Sequence, residues 1–151
     1  MVKIIGGNRL VPYLRGMEER LAKAKTVDVG FLGNATYPDG TNVASVAALN
    51  EFGVPSHNQP PRPFFRSMIA SKQGEWGGAT AHALKANNYD AAKTLDQVGS
   101  AIAGQLRQSI ATFSGAPLAE STIKAKGFAK QLIDTGVMSN SVDHTVNGGK
   151  E

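Results

Sequence analysis

The sequence contains no cysteine, which excludes a disulfide scaffold, a catalytic thiolate and cysteine-ligated zinc or iron–sulfur centres. It also has no apolar run near the roughly 20 residues that a membrane-spanning helix needs. The beginning of the chain holds no apolar stretch long enough for the core of a signal peptide. We therefore expect a protein that is made in a cytoplasm and has no membrane partner.

The excess of positive over negative charge is also small. Lysine and arginine number 16 and the acidic residues 12, so the net charge is only +4 over 151 residues. This excess is too small to require a nucleic-acid partner. The length fits one compact domain, and we predict that residues 1–151 form a single domain.

Apolar spacing predicts a helix near the start of the chain. Its apolar residues recur at spacings of four, three, four and three, which puts them on one face: Leu10, Leu14, Met17, Leu21 and Ala24. Asn8 is the predicted cap of this helix. We expect this face to pack on the core and the opposite, charged face to be solvated.

Three further helices are predicted after it. The second follows a cap at Thr41 or Asn42 and ends before Gly53, and its packing residues are Val43, Val46, Ala47 and Leu49. The third begins at Pro63, and three glycines weaken its middle so that we expect a break or kink near Trp76. The fourth is long, with Asp90 as cap and Gly115 as stop.

Alternating patterns predict two strands. Val27, Val29 and Phe31 alternate with other residues near the first helix, and Val142, His144 and Val146 do so near the end of the chain. Helices with two non-consecutive strands predict an α+β fold, in which a small antiparallel sheet packs against helices that include one long helix. Extended loops or arms complete it: a proline-rich segment at 54–63 and an irregular segment at 114–136.

The sequence shows no catalytic, cofactor-binding or metal-ligating set. His57, His82 and His144 are far apart and have no partner at metal-ligand spacing, so we interpret them as ordinary structural residues. Neither a dinucleotide fingerprint, a phosphate loop nor a nucleophile elbow is present. We therefore expect a protein that is not an enzyme and needs no cofactor.

One proline-stiffened segment is suited to contact with a partner. It carries large apolar and guanidinium side chains, the types that dominate interface hot spots: Pro61, Arg62, Pro63, Phe64, Phe65 and Arg66. The same aromatic residues, together with Phe52, would serve equally well in a core. Composition alone leaves these two interpretations open.

Three ordered motifs resemble a known family. The first is Ala48-Leu49-Asn50-Glu51-Phe52-Gly53 followed by Pro61-Arg62-Pro63-Phe64, the second runs from Ala116 to Gly127, and the third is Leu132-Ile133-Asp134-Thr135-Gly136. Their order resembles that of the small virion-morphogenesis proteins of tailed bacteriophages. These tail-component or tail-completion proteins act at the head–tail joint, and the motifs span residues 48 to 136.

The resemblance implies a structural protein of the virion that assembles as a homo-oligomeric ring in the neck or tail. Its implied partners are the neighbouring connector or neck proteins and the tail tube or terminator, with DNA touched at most in passing. A position as tail terminator or minor tail protein is an alternative within the same virion. A second alternative, from another class, is a basic module that binds nucleic acid.

Two further groups of residues receive roles within this hypothesis. We expect a mobile assembly segment at 117–130, which contains Pro117, Leu118, Lys124, Lys126 and Lys130. Its lysines are better explained as a solvated basic surface than as a nucleic-acid site. In the third motif, Asp134 or Thr135 is predicted to cap a helical turn that begins near Val137, with Gly136 supplying backbone freedom.

Overall fold

A computed structural model describes residues 7–115, 124, 132 and 136–148 of the chain. In these residues the order of elements is α1 (Gly7–Leu21), β1 (Thr26–Gly30), α2 (Val43–Phe52), α3 (Phe64–Ala86), α4 (Ala91–Thr112), α5 (Val137–Asn140) and β2 (Asp143–Asn147). A short 3₁₀ turn, Pro55–His57, lies between α2 and α3. The fold is α+β, as the sequence predicts.

The two strands form a small antiparallel sheet that lies on α4. Val27 pairs with Val146 and Val29 with His144, so the residues that alternate in the sequence share one face. That face packs on α4, whose Gly99 brings the helix backbone close to the side chains of Val27 and His144. Both predicted strands are confirmed.

The core lies where α2, α3 and α4 meet the segment around α5. Its most deeply buried apolar side chains come from four different parts of the chain: Val43, Phe64, Leu106, Ile110 and Val142. Helix α4 supplies two of them, Leu106 and Ile110, which lie four residues apart and therefore on the same face of the helix. Asp90 caps α4 as predicted, since its side chain accepts a hydrogen bond from the backbone N–H of Lys93.

Helix α3 is continuous, so the predicted break near Trp76 is wrong. Gly74, Gly77 and Gly78 lie on the exposed side of α3, where a Cβ atom would meet nothing within 4 Å. The Trp76 indole donates a hydrogen bond of 2.9 Å to the side chain of Gln105 on α4. Packing along α4 therefore outweighs the weak helix propensity of the glycines.

Helix α1 forms as predicted, but its apolar face is not packed in the core. None of the residues in Gly7–Leu21 is buried, and Leu10, Leu14 and Leu21 are all exposed. Only Ala24, beyond the end of the helix, enters the protein interior among the predicted apolar positions. The predicted cap is also wrong, because α1 begins at Gly7 and Asn8 lies inside it.

The short helix α5 begins at Val137, as predicted for the third motif. Gly136 occupies the capping position with a φ of 77°, a left-handed conformation that suits glycine, and no side chain caps the turn there. Asp134 and Thr135, the predicted capping residues, lie outside the described residues. No helix in the described ranges is both long and apolar enough to span a bilayer.

We expect Gly99→Ala to destabilise the protein by about 1–3 kcal/mol through overpacking. A methyl group there would lie 2.6 Å from both the His144 ring and the Val27 side chain. Gly104→Ala on the same helix is the matched control, because its Cβ would meet nothing within 4 Å. It should stabilise the protein by up to about 1 kcal/mol through helix propensity.

Urea-induced unfolding of both variants measures this difference. A Gly99→Ala variant as stable as Gly104→Ala would show that α4 does not need the close approach to the sheet.

Candidate protein-interaction site

The first motif forms a polar network that joins α2 to the start of α3. Glu51 is only 5% exposed. Its carboxylate accepts hydrogen bonds from the backbone N–H groups of Phe65 and Arg66, at 2.9 and 3.1 Å. These two donors belong to the first turn of α3, where no earlier residue of the helix supplies an acceptor. Glu51 therefore caps α3 from a different helix.

The Arg66 side chain completes this contact. Its Nε donates to a Glu51 carboxylate oxygen at 2.8 Å, and its Nη2 donates to the Glu51 carbonyl at 3.1 Å. A carboxylate is well placed here, since the start of a helix carries partial positive charge. The buried charge of Glu51 thus has three hydrogen bonds and a cationic partner.

Asn50 and Arg62 form the second half of the network. The Arg62 backbone N–H donates to the Asn50 carbonyl at 2.7 Å, and Arg62 Nη1 donates to the Asn50 side-chain oxygen at 2.8 Å. Burial lowers the pKa of the Arg62 guanidinium, although arginine stays charged at any ordinary pH. We call Asn50, Glu51, Arg62 and Arg66 the α2–α3 network.

Gly53 is the residue that lets the chain turn back toward this network. Its φ is 74°, and a Cβ there would lie 2.7 Å from both the Gln59 carbonyl oxygen and the Pro61 nitrogen. Any other residue would therefore push the proline-rich segment away from α2. The order of residues in the first motif follows from this local packing.

The structure divides the predicted contact residues between core and surface. Phe64 is 1% exposed and contacts the rings of Phe31 and Phe65, so it is a core residue and is not available to a partner. The interface assignment of Phe64 is wrong because its side chain is buried in the core cluster that contains Val43 and Leu106. Phe65 and Pro63 are half-buried, whereas Pro61 and Arg66 are exposed.

Phe52, which the sequence could place in the core, is instead the most exposed of the large apolar side chains described. It is 64% exposed, and the Arg66 guanidinium lies over its ring at 5.1 Å from the centroid. This cation–π contact orients Phe52 on the surface without burying it. Leu49, one turn earlier, is 51% exposed rather than packed.

These residues belong to an uncharged outer face of α2. Ser45, Ala48, Leu49 and Phe52 are all exposed and lie on one side of the helix. The one charged residue of α2 is Glu51, and it points inward. A solvent-exposed helix face without charge, ending in an exposed phenylalanine, is typical of a protein–protein contact.

Helix α1 carries the second exposed apolar face. Its side chains lie within about a third of the helix circumference, and most are at least half exposed: Leu10, Tyr13, Leu14, Met17 and Leu21. Among the described elements α1 contacts α4 alone. We call these five residues the α1 face and the four residues above the α2 face.

Polar contacts at its C-terminal end attach α1 to the turn between α3 and α4. Arg20 Nε donates to the Asn88 carbonyl at 2.8 Å, and Lys23 pairs with the Asp90 carboxylate at 2.6 Å. The Lys23 ammonium, together with the backbone N–H of Lys93, lowers the pKa of Asp90. The same carboxylate therefore caps α4 and holds the end of α1.

The remaining predicted residues do not converge on a chemical centre. His144 is half-buried on β2, with Nε2 3.0 Å from the Asp96 carboxylate, while His57 and His82 are exposed on other elements. In the described part of the chain, no three histidine, aspartate or glutamate residues are grouped to hold a metal ion. Lys124 is exposed, and Pro117, Leu118, Lys126 and Lys130 lie outside the described residues.

Comparisons with protein-family models, with curated proteins and with solved structures found no significant match to this chain. The resemblance of the three motifs therefore stays a prediction. The α1 and α2 faces, in contrast, follow from the geometry of the chain itself.

Sequence reasoning identified the apolar face of α1 but placed it in the core, and it did not single out the α2 face. The sequence contained a signal for the exposure of each. The α2 positions 45, 48, 49 and 52 carry no charge, which is unusual for an outward face. Helix α1 contains Pro12 and Gly16, which lower its intrinsic stability by about 3 and 1 kcal/mol relative to alanine.

We expect Glu51→Ala to destabilise the protein by about 2–3 kcal/mol, because it leaves the first N–H groups of α3 without an acceptor. Glu51→Gln keeps one acceptor oxygen and should lose about 1–2 kcal/mol. Glu75→Ala is the control, since Glu75 is exposed and its described partner is Lys72 on the same helix, and it should change stability by about 0.5 kcal/mol or less. Equal stability of all three variants in chemical denaturation would contradict the capping role.

A pH dependence follows from Asp90. Because its folded-state pKa is lowered, its stabilising contribution is complete above the unfolded-state pKa, near 3.8, and is lost as pH falls through the folded-state value. Asp90→Asn keeps a good helix cap but removes the charge that binds Lys23. We expect the variant to lose less stability than the wild-type protein when both are unfolded at decreasing pH. If the stability of the two proteins decreased by the same amount as pH fell, the Asp90 carboxylate would not be the group that gives this pH dependence.

Proposed function

We propose that this protein is a structural component of a tailed-phage virion that acts at the head–tail joint, as a ring-forming neck or tail-completion protein. The observation that carries the proposal is the α2–α3 network, in which the first family-like motif has a complete structural purpose. Asn50 and Glu51 of this motif bond to Arg62 and to the start of α3, and Gly53 lets the chain turn back between them.

The network has a consequence on the other side of α2. With Glu51 turned inward, the α2 face is presented to solvent with Leu49 and Phe52 uncovered. A protein that works by contact with its neighbours needs such a surface, and a protein that acts alone does not. The motif thus supports a role in assembly, and the family resemblance supplies the place of that assembly in the virion.

The α1 face supports the same proposal independently. Assembly into a ring requires heterologous contacts, in which one surface of a subunit meets a different surface of the next. This chain presents two different exposed apolar faces on separate helices. Neither face is buried in the core, and the predicted contact segment touches them only where Arg66 lies over the Phe52 ring.

Electron microscopy of particles made without this protein tests the proposal. We expect DNA-filled heads and finished tails that remain separate, because the component that joins them is missing. Supplying the wild-type chain from a plasmid should restore joined particles, and it controls for effects of the deletion on neighbouring genes. Normally joined particles in its absence would overturn the proposal, as would mature particles that do not contain it.

A further inference from the structure

Helix α1 is attached to the body of the protein at its C-terminal end. All residues of 7–15 are exposed, and the half-buried residues of α1 lie in its second half: Gly16, Met17 and Arg20. The side chain of Arg20 donates to the Asn88 carbonyl at 2.8 Å. Just after the helix, the Lys23 ammonium lies 2.6 Å from the Asp90 carboxylate. The described contacts that hold α1 are therefore few, polar and confined to one end.

The two oxygens of the Asp90 carboxylate serve different helices. Oδ2 accepts a hydrogen bond from Lys23, whereas Oδ1 accepts one from the backbone N–H of Lys93 and caps α4. Loss of the contact with Lys23 therefore leaves the cap of α4 in place. The Lys23 side chain is 51% exposed, and an ion pair at the surface contributes little to stability.

Helix α1 has little stability of its own. A helix of 15 residues is marginal in water even with a favourable sequence. Pro12 lies inside this one and has no backbone N–H to donate, and Gly16 is a poor helix former. Most helices are stabilised by burying an apolar face, and α1 buries none of its residues. We therefore expect α1 to lose its helical structure when its contacts with the body open.

The chain is firmly held from the residues just after α1 onward. Ala24 is only 6% exposed, and the backbone N–H of Lys25 donates to the Asn147 carbonyl at 2.9 Å. Strand β1 begins at the next residue and packs with β2 on α4. An opening of α1 can therefore end at Ala24 without disturbing the sheet or the core.

We propose that α1 is a detachable arm. The segment Gly7–Leu21 leaves the body and unfolds as a unit while α3, α4 and the sheet stay folded, and the ion pair between Lys23 and Asp90 controls how often this occurs. Such local opening below the free energy of global unfolding is a known property of segments with few buried contacts. The inference rests on the contacts of α1 and does not depend on a role at the head–tail joint.

Hydrogen exchange of the purified full chain, followed by mass spectrometry, tests the proposal. We expect the backbone N–H groups of α1 to exchange more slowly than those of an unstructured peptide and much faster than those of α4. Low, non-denaturing concentrations of urea should accelerate exchange in α4 and leave α1 almost unchanged, because a local opening exposes little surface. Equal rates and equal urea dependence in the two helices would show a single cooperative unit and overturn the proposal. So would exchange of α1 as fast as that of an unstructured peptide.

Substitutions of the ion pair test its control of the opening. Lys23→Ala should accelerate exchange in α1 about two- to fivefold and leave α4 unchanged. Asp90→Asn should have a similar effect on α1, and the double variant should exceed neither single variant, because all three remove the same interaction. Lys72→Ala is the matched control, since it removes an exposed ion pair with Glu75 within α3.

The control variant should leave exchange in α1 at the wild-type rate. If Lys23→Ala changed α1 no more than Lys72→Ala does, other contacts would hold the helix and the proposal would be overturned. Equal acceleration of α1 and α4 by Lys23→Ala would overturn it as well, because the ion pair would then stabilise the whole domain. Additive effects of Lys23→Ala and Asp90→Asn would show that the two residues do not act through each other and would remove the ion pair as the controlling contact.

Discussion

The arrangement of this protein depends on one buried carboxylate. Glu51 caps the first turn of α3 from a neighbouring helix, and its burial is tolerable only because two backbone N–H groups and the Arg66 guanidinium surround it. This contact fixes which side of α2 faces inward. Phe64, the next residue of the chain to enter the core, is placed by the same turn. The same contact therefore determines which side chains of α2 enter the interior and which form the exposed α2 face.

A second constraint is the close packing of α4 on the sheet and on α3. Gly99 brings the helix against Val27 and His144, while Gln105 holds Trp76 on the opposite helix. Helices α3 and α4 are both continuous and pack on each other along the chain reversal at 87–90. The hairpin thereby separates the attachment points of α1 and α2, which a kinked α3 would have brought to unrelated positions.

Local signals made most of the fold predictable from sequence. Asn42 and Asp90 cap their helices by side-chain hydrogen bonds that depend on nearby residues, and the alternation around Val27 and His144 is equally local. What failed was the assignment of apolar residues to core or surface. Leu10, Leu49 and Phe52 have the same chemistry as Phe64, and only tertiary packing decides which of them is covered. The weak propensity of Gly77 and Gly78 misled for the same reason, because the support for α3 comes from Trp76.

Because of the way in which α1 is attached, different residues determine the choice of binding partner and the stability of the fold. Among the described residues, Arg20, Lys23 and a small contact with α4 hold α1 to the body, and no residue of α1 is buried. We therefore expect the cooperative unfolding of the core to depend little on which apolar side chains α1 carries. Substitutions along that stripe can alter the choice of partner at almost no thermodynamic cost to the domain. In related chains, the apolar residues of α1 can therefore change, and with them the binding partner, while the core and the fold stay the same.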